Sequence, residues 1–333
     1  MLLDIDSCSE TVAVHQLALM SETAHPRVSV VLPTFNGEDD LRRMLPKLLE
    51  QDFDGGVEIC AIDSSSADGT VALLKEVGAR VEVIPQAEFS HGPTRNHCAL
   101  SARGEFLVFM SQDVMPAHKS FLSELIGAFG DERVAGAYSR VLPHPDDDPL
   151  TARTVLDLPE SSEQAFVRDL DSVQGLWELD PDERIRYLRF NNVASAIRTS
   201  VFGEFPFPPT AFAEDFAWAS RVLSRGWRIA YVPTSVVQHA HAYTLRSAYE
   251  RYRVDAAFHR QAHGWLVRPS AFSAMRGFLY EVREDIRYVR RHHCKTSTLL
   301  RSPGLRAAQV LGQYAGSHGW GDEDLLTAEL LED

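Results

Sequence analysis

Five consecutive apolar residues, Phe106-Leu107-Val108-Phe109-Met110, run directly into Ser111-Gln112-Asp113. An apolar run of this length, bounded by polar residues, reads as a fully buried strand. Pro116 then blocks further pairing. Asp113 therefore stands just past the carboxyl end of a core strand, where open α/β sheets bind their ligands.

The chain on either side supports that reading. Val28-Ser29-Val30-Val31-Leu32 reads as a second buried strand, closed by Pro33, and Leu41, Leu45, Leu48 and Leu49 recur at helical spacing. Val57 to Ile62 is a strand ending at Asp63. Ser64 to Gly69 is a turn, with Ser66 or Asp68 as cap of a helix from Val71 to Val77 that Gly78 ends. Val81 to Ile84 is the next strand, and a helix spans about Thr94 to Ala102. Strands alternating with helices of this length predict βαβ units and a mostly parallel central sheet. Pro143 to Pro149 is an acidic, proline-rich loop, and 150–190 is polar with helical patches. The regular pattern returns with a strand or turn at Asn192 to Ile197, a helix over Asp215 to Ser224, a strand over Trp227 to Val232 and a strand-like Ser235 to Gln238. Beyond Leu245 the chain reads as helical and basic.

With 333 residues and 44% hydrophobic content, a sizeable core can be buried. The net charge of −14 argues against a nucleic-acid partner, since phosphate contacts dominate that affinity. It leaves room for a nucleotide held through a metal. Cys8, Cys60, Cys98 and Cys294 form no C-x-x-C pair, so free thiols in a reducing compartment are expected. No apolar stretch reaches membrane-spanning length, and Met1 to Asp6 lacks the basic and apolar regions of a signal peptide. A cytoplasmic protein is the expectation.

Neither G-x-G-x-x-G nor G-x-x-x-x-G-K-[ST] occurs, so a nucleotide must be held by other means. Pro33-Thr34-Phe35-Asn36-Gly37 and Asp63 end adjacent strands on one sheet edge. A carboxylate there can accept the N–H of a pyrimidine base; its plainer role is turn former or cap. Arg95, near a predicted helix start, suits a phosphate, or else is a solvated helix arginine. Asp113, with His239 and His241 as candidate partners, could ligate a divalent cation bridging a diphosphate, Mg2+ or Mn2+; the histidines could instead contact phosphate, and the plainer role of a lone histidine is structural. Glu214-Asp215 opens a helix after the turn Pro206 to Pro209. Acids at that position are accounted for by the helix dipole alone, but they also place a general base on a rigid element.

Taken in order, Val30 to Asn36, Ile62 to Thr70, Thr94 to Asn96, Ser111-Gln112-Asp113 and Glu214-Asp215 resemble the family-2 glycosyltransferases of the GT-A fold. The resemblance covers about 27–260. A narrower likeness, to bacterial rhamnosyltransferases, rests on Phe89 to Asn96, Gln112 to Pro116, Ala213 to Trp218 and His239 to Thr244. It implies a Rossmann-like α/β domain with helices on both faces of the sheet. The expected divisions are an extension over 1–26, a nucleotide-sugar half over 27–145, an acceptor half over 146–245 and a helical basic extension over 246–333. Pro33, Thr34, Asn36, Asp63, Arg95 and Gln112 would bind the donor. Asp113, His239 and His241 would hold Mg2+ or Mn2+. Asp215 would be the base, supported by Glu214. The chain departs from the family at Ser111, which stands where the first acid of D-x-D is expected.

The implied reaction is inverting transfer of a sugar, L-rhamnose from its dTDP donor or a hexose from UDP, to a glycan, lipid-linked or small-molecule hydroxyl. Two rivals remain at this point. One is a degenerate transferase acting as a binding subunit, which Ser111 favours. The other is a sugar nucleotidyltransferase, although the loop Pro33 to Asp40 is acidic where a basic glycine-rich one is wanted. In the C-terminal extension, arginines stand among Trp265, Leu266, Phe272, Met275, Phe278, Leu279 and Tyr280. That mixture suits a contact with the inner face of the plasma membrane, a homodimer interface, or a helix packed back on the domain.

Overall fold

The computed structural model of the protein describes residues 26–321 apart from 172, 174 and 211. The expected N-terminal extension, with Cys8, lies outside the described residues but for Pro26. The strands are β1 (Val28–Thr34), β2 (Val57–Asp63), β3 (Arg80–Val83), β4 (Phe106–Met110), β5 (Met115–Pro116), β6 (Val134–Leu142), β7 (Phe166–Arg168), β8 (Ala194–Arg198) and β9 (Arg228–Gln238). The α-helices of the first half are α1 (Glu38–Leu49), α2 (Thr70–Glu76), α3 (His91–Ala99) and α4 (Phe121–Gly127). Next come α5 (Pro149–Leu156), α6 (Pro181–Tyr187), α7 (Thr199–Glu204) and α8 (Glu214–Ser224). The C-terminal helices are α9 (Leu245–His263), α10 (Ala271–Arg291) and α11 (Ser302–Ser317).

All nine strands join one sheet, in the order β3-β2-β1-β4-β8-β6-β9-β5, with β7 paired to β9. The first four strands in space are parallel, as the βαβ pattern predicts. The sheet then becomes mixed. β8 runs antiparallel to both β4 and β6, while β6 and β9 are parallel. One apolar layer packs α1, α2 and α4 against one face. The other, built around Trp218, Phe207, Phe190 and Phe109, packs α3, α7 and α8 against the opposite face. The α/β class with helices on both faces and a helical C-terminal region is as expected. Among the described residues no helix is long and apolar enough to cross a membrane.

Three local expectations change. The helix carrying Arg95 begins at His91 rather than Thr94. The predicted strands on either side of Pro233 are one strand, β9, with a register shift against β6 between Val232 and Val236. A bulge is where a proline without an N–H is tolerated in a sheet interior. The cap of α2 is Gly69, while Asp68 accepts the N–H of Thr70 at 3.1 Å.

Candidate active site

β1 and β2 end side by side, with Thr34 opposite Asp63. Asp63 is fully buried. One of its oxygens accepts from the Thr34 hydroxyl at 2.9 Å and the Ser66 hydroxyl at 2.6 Å, and the other from the Ser66 N–H at 2.7 Å. Three of roughly four acceptor positions are thus used inside the fold, fixing the turn after β2. Pro33 lies beyond the last β1–β4 pair, Val31 opposite Phe109, so its missing N–H breaks no ladder bond there.

Two further expected donor residues tie loops together. Asn36 adopts a left-handed backbone, φ 45°, and its side-chain oxygen accepts from the Ala67 N–H at 2.8 Å. Gln112 clamps the backbone of Phe35, accepting from its N–H at 2.8 Å and donating to its carbonyl at 3.1 Å. The clamp explains Gly37, where a Cβ would lie 2.6 Å from the Gln112 amide carbon.

Past Gln112 the chain presents Asp113. Its Oδ2 lies 3.3 Å from Nε2 of His239 and 3.7 Å from Nδ1 of His241. One ligand atom from each of the three residues falls within 4.8 Å of the others. His239 is placed by the end of β9, where its N–H donates to the Leu142 carbonyl at 2.9 Å. Burial works to raise the Asp113 carboxyl, but the hydrogen bond and charge of His239, with His241 behind, hold it below the usual range. Burial, reinforced by His239, keeps the His241 imidazole below its ordinary value.

The acidic pair opens α8. The segment before it is pinned to α3, because the Asn96 amide donates to the Phe207 carbonyl at 2.8 Å and accepts from its N–H at 3.0 Å. Ala213 then turns through a left-handed conformation, φ 58°. Glu214 is buried and accepts from Arg95 and from the Asn192 amide, each at 3.2 Å. Asp215 accepts the Phe216 N–H at 2.9 Å and faces the Asn192 N–H at 3.5 Å. Burial first, and the charge of Glu214 second, push its carboxyl up to about 7.

The two acidic centres share one sheet edge. β4 and β8 are antiparallel with Met110 opposite Ala194, so the end of one meets the start of the other. The Ser111 N–H donates to the Val193 carbonyl at 3.2 Å, and the neighbouring Asn192 touches both Glu214 and Asp215. Arg95 departs from one of its two sequence readings, that of a solvated helix arginine. It is buried rather than solvated, and its guanidinium contacts Glu214 and the His91 carbonyl, the latter at 3.1 Å. Asn192 was not foreseen as a site residue. An asparagine beside a strand reads as a turn former, and its contacts lie on an element that follows a long insertion.

Residues 29–200 match the profile of glycosyl transferase family 2. The O-antigen chain rhamnosyltransferase WbaN of Salmonella anatum is 29% identical over 299 residues, covering 88% of this chain and 90% of that protein. RfbN of Salmonella typhimurium, also an O-antigen chain rhamnosyltransferase, is 28% identical over 298 residues with the same coverage, 88% and 90%. Among solved structures, the mannosyltransferase PcManGT from Pyrobaculum calidifontis in complex with GDP-Man and Mn2+ aligns with TM-score 0.56. Its identity is 16%, and the alignment covers 95% of this chain and 97% of that one. S. aureus TarS 1-349 in complex with UDP-GlcNAc aligns with TM-score 0.51 at 16% identity, over 88% and 91% of the two chains. At these identities the structural likeness concerns the fold.

Proposed function

The chain belongs to glycosyltransferase family 2, and from that premise we propose that it is an inverting rhamnosyltransferase. Its donor is a deoxythymidine-diphosphate 6-deoxyhexose, L-rhamnose first, with a UDP-hexose as the fallback. Its acceptor is a hydroxyl of a glycan, carried on a lipid or free. Likeness to two O-antigen rhamnosyltransferases over most of the chain supports the sugar. The observation that carries the chemistry is the meeting, at one sheet edge, of Asp215 and the Asp113–His239–His241 cluster.

The cluster fits a divalent cation. A carboxylate and two imidazoles, already converging within 4.8 Å, form a donor set suited to Mn2+ and tolerable for Mg2+. When bound, the ion supplies Lewis-acid neutralisation of charge on the departing nucleoside diphosphate. The remaining work falls to the chain. Thr34, Asp63, Pro33 and Asn36 shape the nucleoside end, with Gln112 holding the Phe35 turn against it. Asp215 takes the proton from the acceptor hydroxyl as that oxygen attacks the anomeric carbon from the face opposite the leaving diphosphate. A carboxyl near 7 is well matched to that transfer at neutral pH. Glu214, fixed by Arg95 and Asn192, keeps the pair in place, and Arg95 lies near the diphosphate. In this reading 27–145 is the donor half and 146–245 the acceptor half.

A thermal-shift screen of nucleotide sugars, with and without Mn2+, tests the donor. Binding to the native state raises apparent stability by mass action. The expected result is a metal-dependent rise with dTDP-rhamnose. A rise with a GDP-sugar, and none with thymidine or uridine donors, overturns the assignment.

A further inference from the structure

The outward face of α10 combines exposed apolar side chains with arginines. Phe272, Met275, Leu279 and Tyr280 are each more than half exposed. They share one side of the helix with Arg276, Arg283, Arg287, Arg290 and Arg291, at the three- and four-residue spacing of a single face. The acids of the helix lie elsewhere. Asp285 is buried against Arg153 and Arg306, Glu281 bonds Arg153 at 2.7 Å, and Glu284 sits at the rim on Arg287. Arg283, Arg290 and Arg291 have no acidic partner among the described residues. Beside the C-terminal end is a hollow of about 720 Å3, where Arg287, Arg290, Arg291 and His292 face only Asp157 and Glu284 among acids.

In a protein of net charge −14, this helix gathers cations and large apolar side chains onto one exposed strip. We infer that the outward face of α10 docks on the anionic surface of a lipid bilayer, lying along it. Phe272, Met275 and Leu279 enter the headgroup boundary, and the arginines pair with lipid phosphates. A second copy of the chain fits less well. A two-fold contact through this face would bring arginine against arginine. A nucleic acid offers nothing to the protruding phenylalanine, methionine and leucine. The inference stands apart from the choice of donor, because it is read out by binding alone.

The test is co-sedimentation of the full chain with vesicles of phosphatidylcholine, and of phosphatidylcholine mixed with phosphatidylglycerol. Binding is expected to the mixed vesicles at low salt, weakening as salt rises. Arg283→Gln, Arg287→Gln and Arg290→Gln together should lower the partition coefficient on the order of 100-fold, roughly fivefold per arginine. Phe272→Ser with Leu279→Ser should weaken it independently of salt. These side chains are exposed, so an unchanged melting curve certifies the fold of each variant. No sedimentation with anionic vesicles at low salt overturns the inference. So does equal binding to both vesicle types that the arginine variant leaves intact. A solution dimer that the same substitutions dissolve assigns the face to a second copy instead.

Discussion

Asp215 combines a hydrogen bond from the Phe216 N–H with burial and a neighbouring carboxylate, and the last two raise its carboxyl to about 7. A base must be unprotonated to accept a proton. kcat/KM should therefore fall as pH drops through the neutral range, as Asp215 takes up a proton. Glu214→Gln removes the neighbouring charge and leaves burial in place. It should shift the acid limb of the profile to lower pH, a displacement that loss of structure would not produce. Asp215→Asn, nearly isosteric, should lower turnover by at least ~10² while donor binding, measured by calorimetry, is retained. An active Asp215→Asn with an inactive Glu214→Gln would reverse the two roles. At the other centre, Asp113→Ala should abolish metal-dependent stabilisation by the donor and most of the activity, leaving the melting temperature without ligand little changed. Wild-type activity in excess chelator would count against the cluster as a metal site. These acids and histidines were legible in the sequence because each follows a recognisable strand or opens a recognisable helix. The partners were not. Arg95 and Glu214 are separated by more than a hundred residues, and periodicity carries no signal for which buried charge meets which.

Elements were legible where their own side chains set the pattern. β1, β2 and β4 are nearly continuous apolar runs, since both their faces are covered. β6 is just as central but reads Val-Ala-Gly-Ala-Tyr-Ser-Arg-Val-Leu, with no such run, and no strand was predicted there. Its small residues answer to partners elsewhere. A Cβ on Gly136 would come 2.7 Å from the ring of Trp218 and 3.1 Å from that of Phe190. Trp218 is wholly buried on α8, four residues into the helix that Glu214 opens. Gly136→Ala must therefore displace this helix or its own strand. It should cost ~1–3 kcal/mol of stability, read from denaturant midpoints, and should lower turnover more than donor affinity. An equally stable and equally active variant would show that Trp218 can move without moving Glu214 and Asp215. Between the C-terminal helices, glycines again do what no hydrophobic pattern announces. Cβ atoms at Gly312 and Gly316 of α11 would fall on the backbone carbonyl oxygens of Tyr249 and Arg253 of α9, so both helices approach at backbone contact.

Across the whole molecule, the C-terminal helices are attached to the sheet domain through a buried ionic cluster. Asp285 of α10 is fully buried and receives Arg153 of α5 at 2.7 Å, Arg306 of α11 at 2.7 and 2.9 Å, and the Ser302 hydroxyl at 2.5 Å. Arg306 also donates to Gln309 at 2.8 Å. One carboxylate thus joins three helices, two of them from the extension that sequence reading left as membrane tail, subunit interface or packed-back layer. Burial works to raise this carboxyl, and Arg306, Ser302 and Arg153 outweigh it, so its pKa lies below the ordinary aspartate value. A depressed pKa gives stability that is complete above the unfolded value, ~3.9, and is lost as pH falls through the folded value. The wild-type protein should therefore lose stability steeply only in acid, below about pH 4. Asp285→Asn leaves Arg306 buried against a neutral amide, while Arg153 keeps Glu281 and Asp157. Breaking a buried pair from one side costs ~3–5 kcal/mol, because the remaining charge stays buried. The variant should melt lower at neutral pH and show a flatter acid limb than the wild type. Replacing Asp285→Leu, Arg306→Leu and Ser302→Ala together removes the groups left without partners, leaves Arg153 on Glu281 and Asp157, and should recover most of the loss. If Asp285→Asn melts like the wild type at pH 7, solvent reaches this cluster and the helices are held by the α9–α11 contact instead. If the triple variant melts no higher than Asp285→Asn, the cluster supplies net attraction beyond the cost of stripping water from its charges.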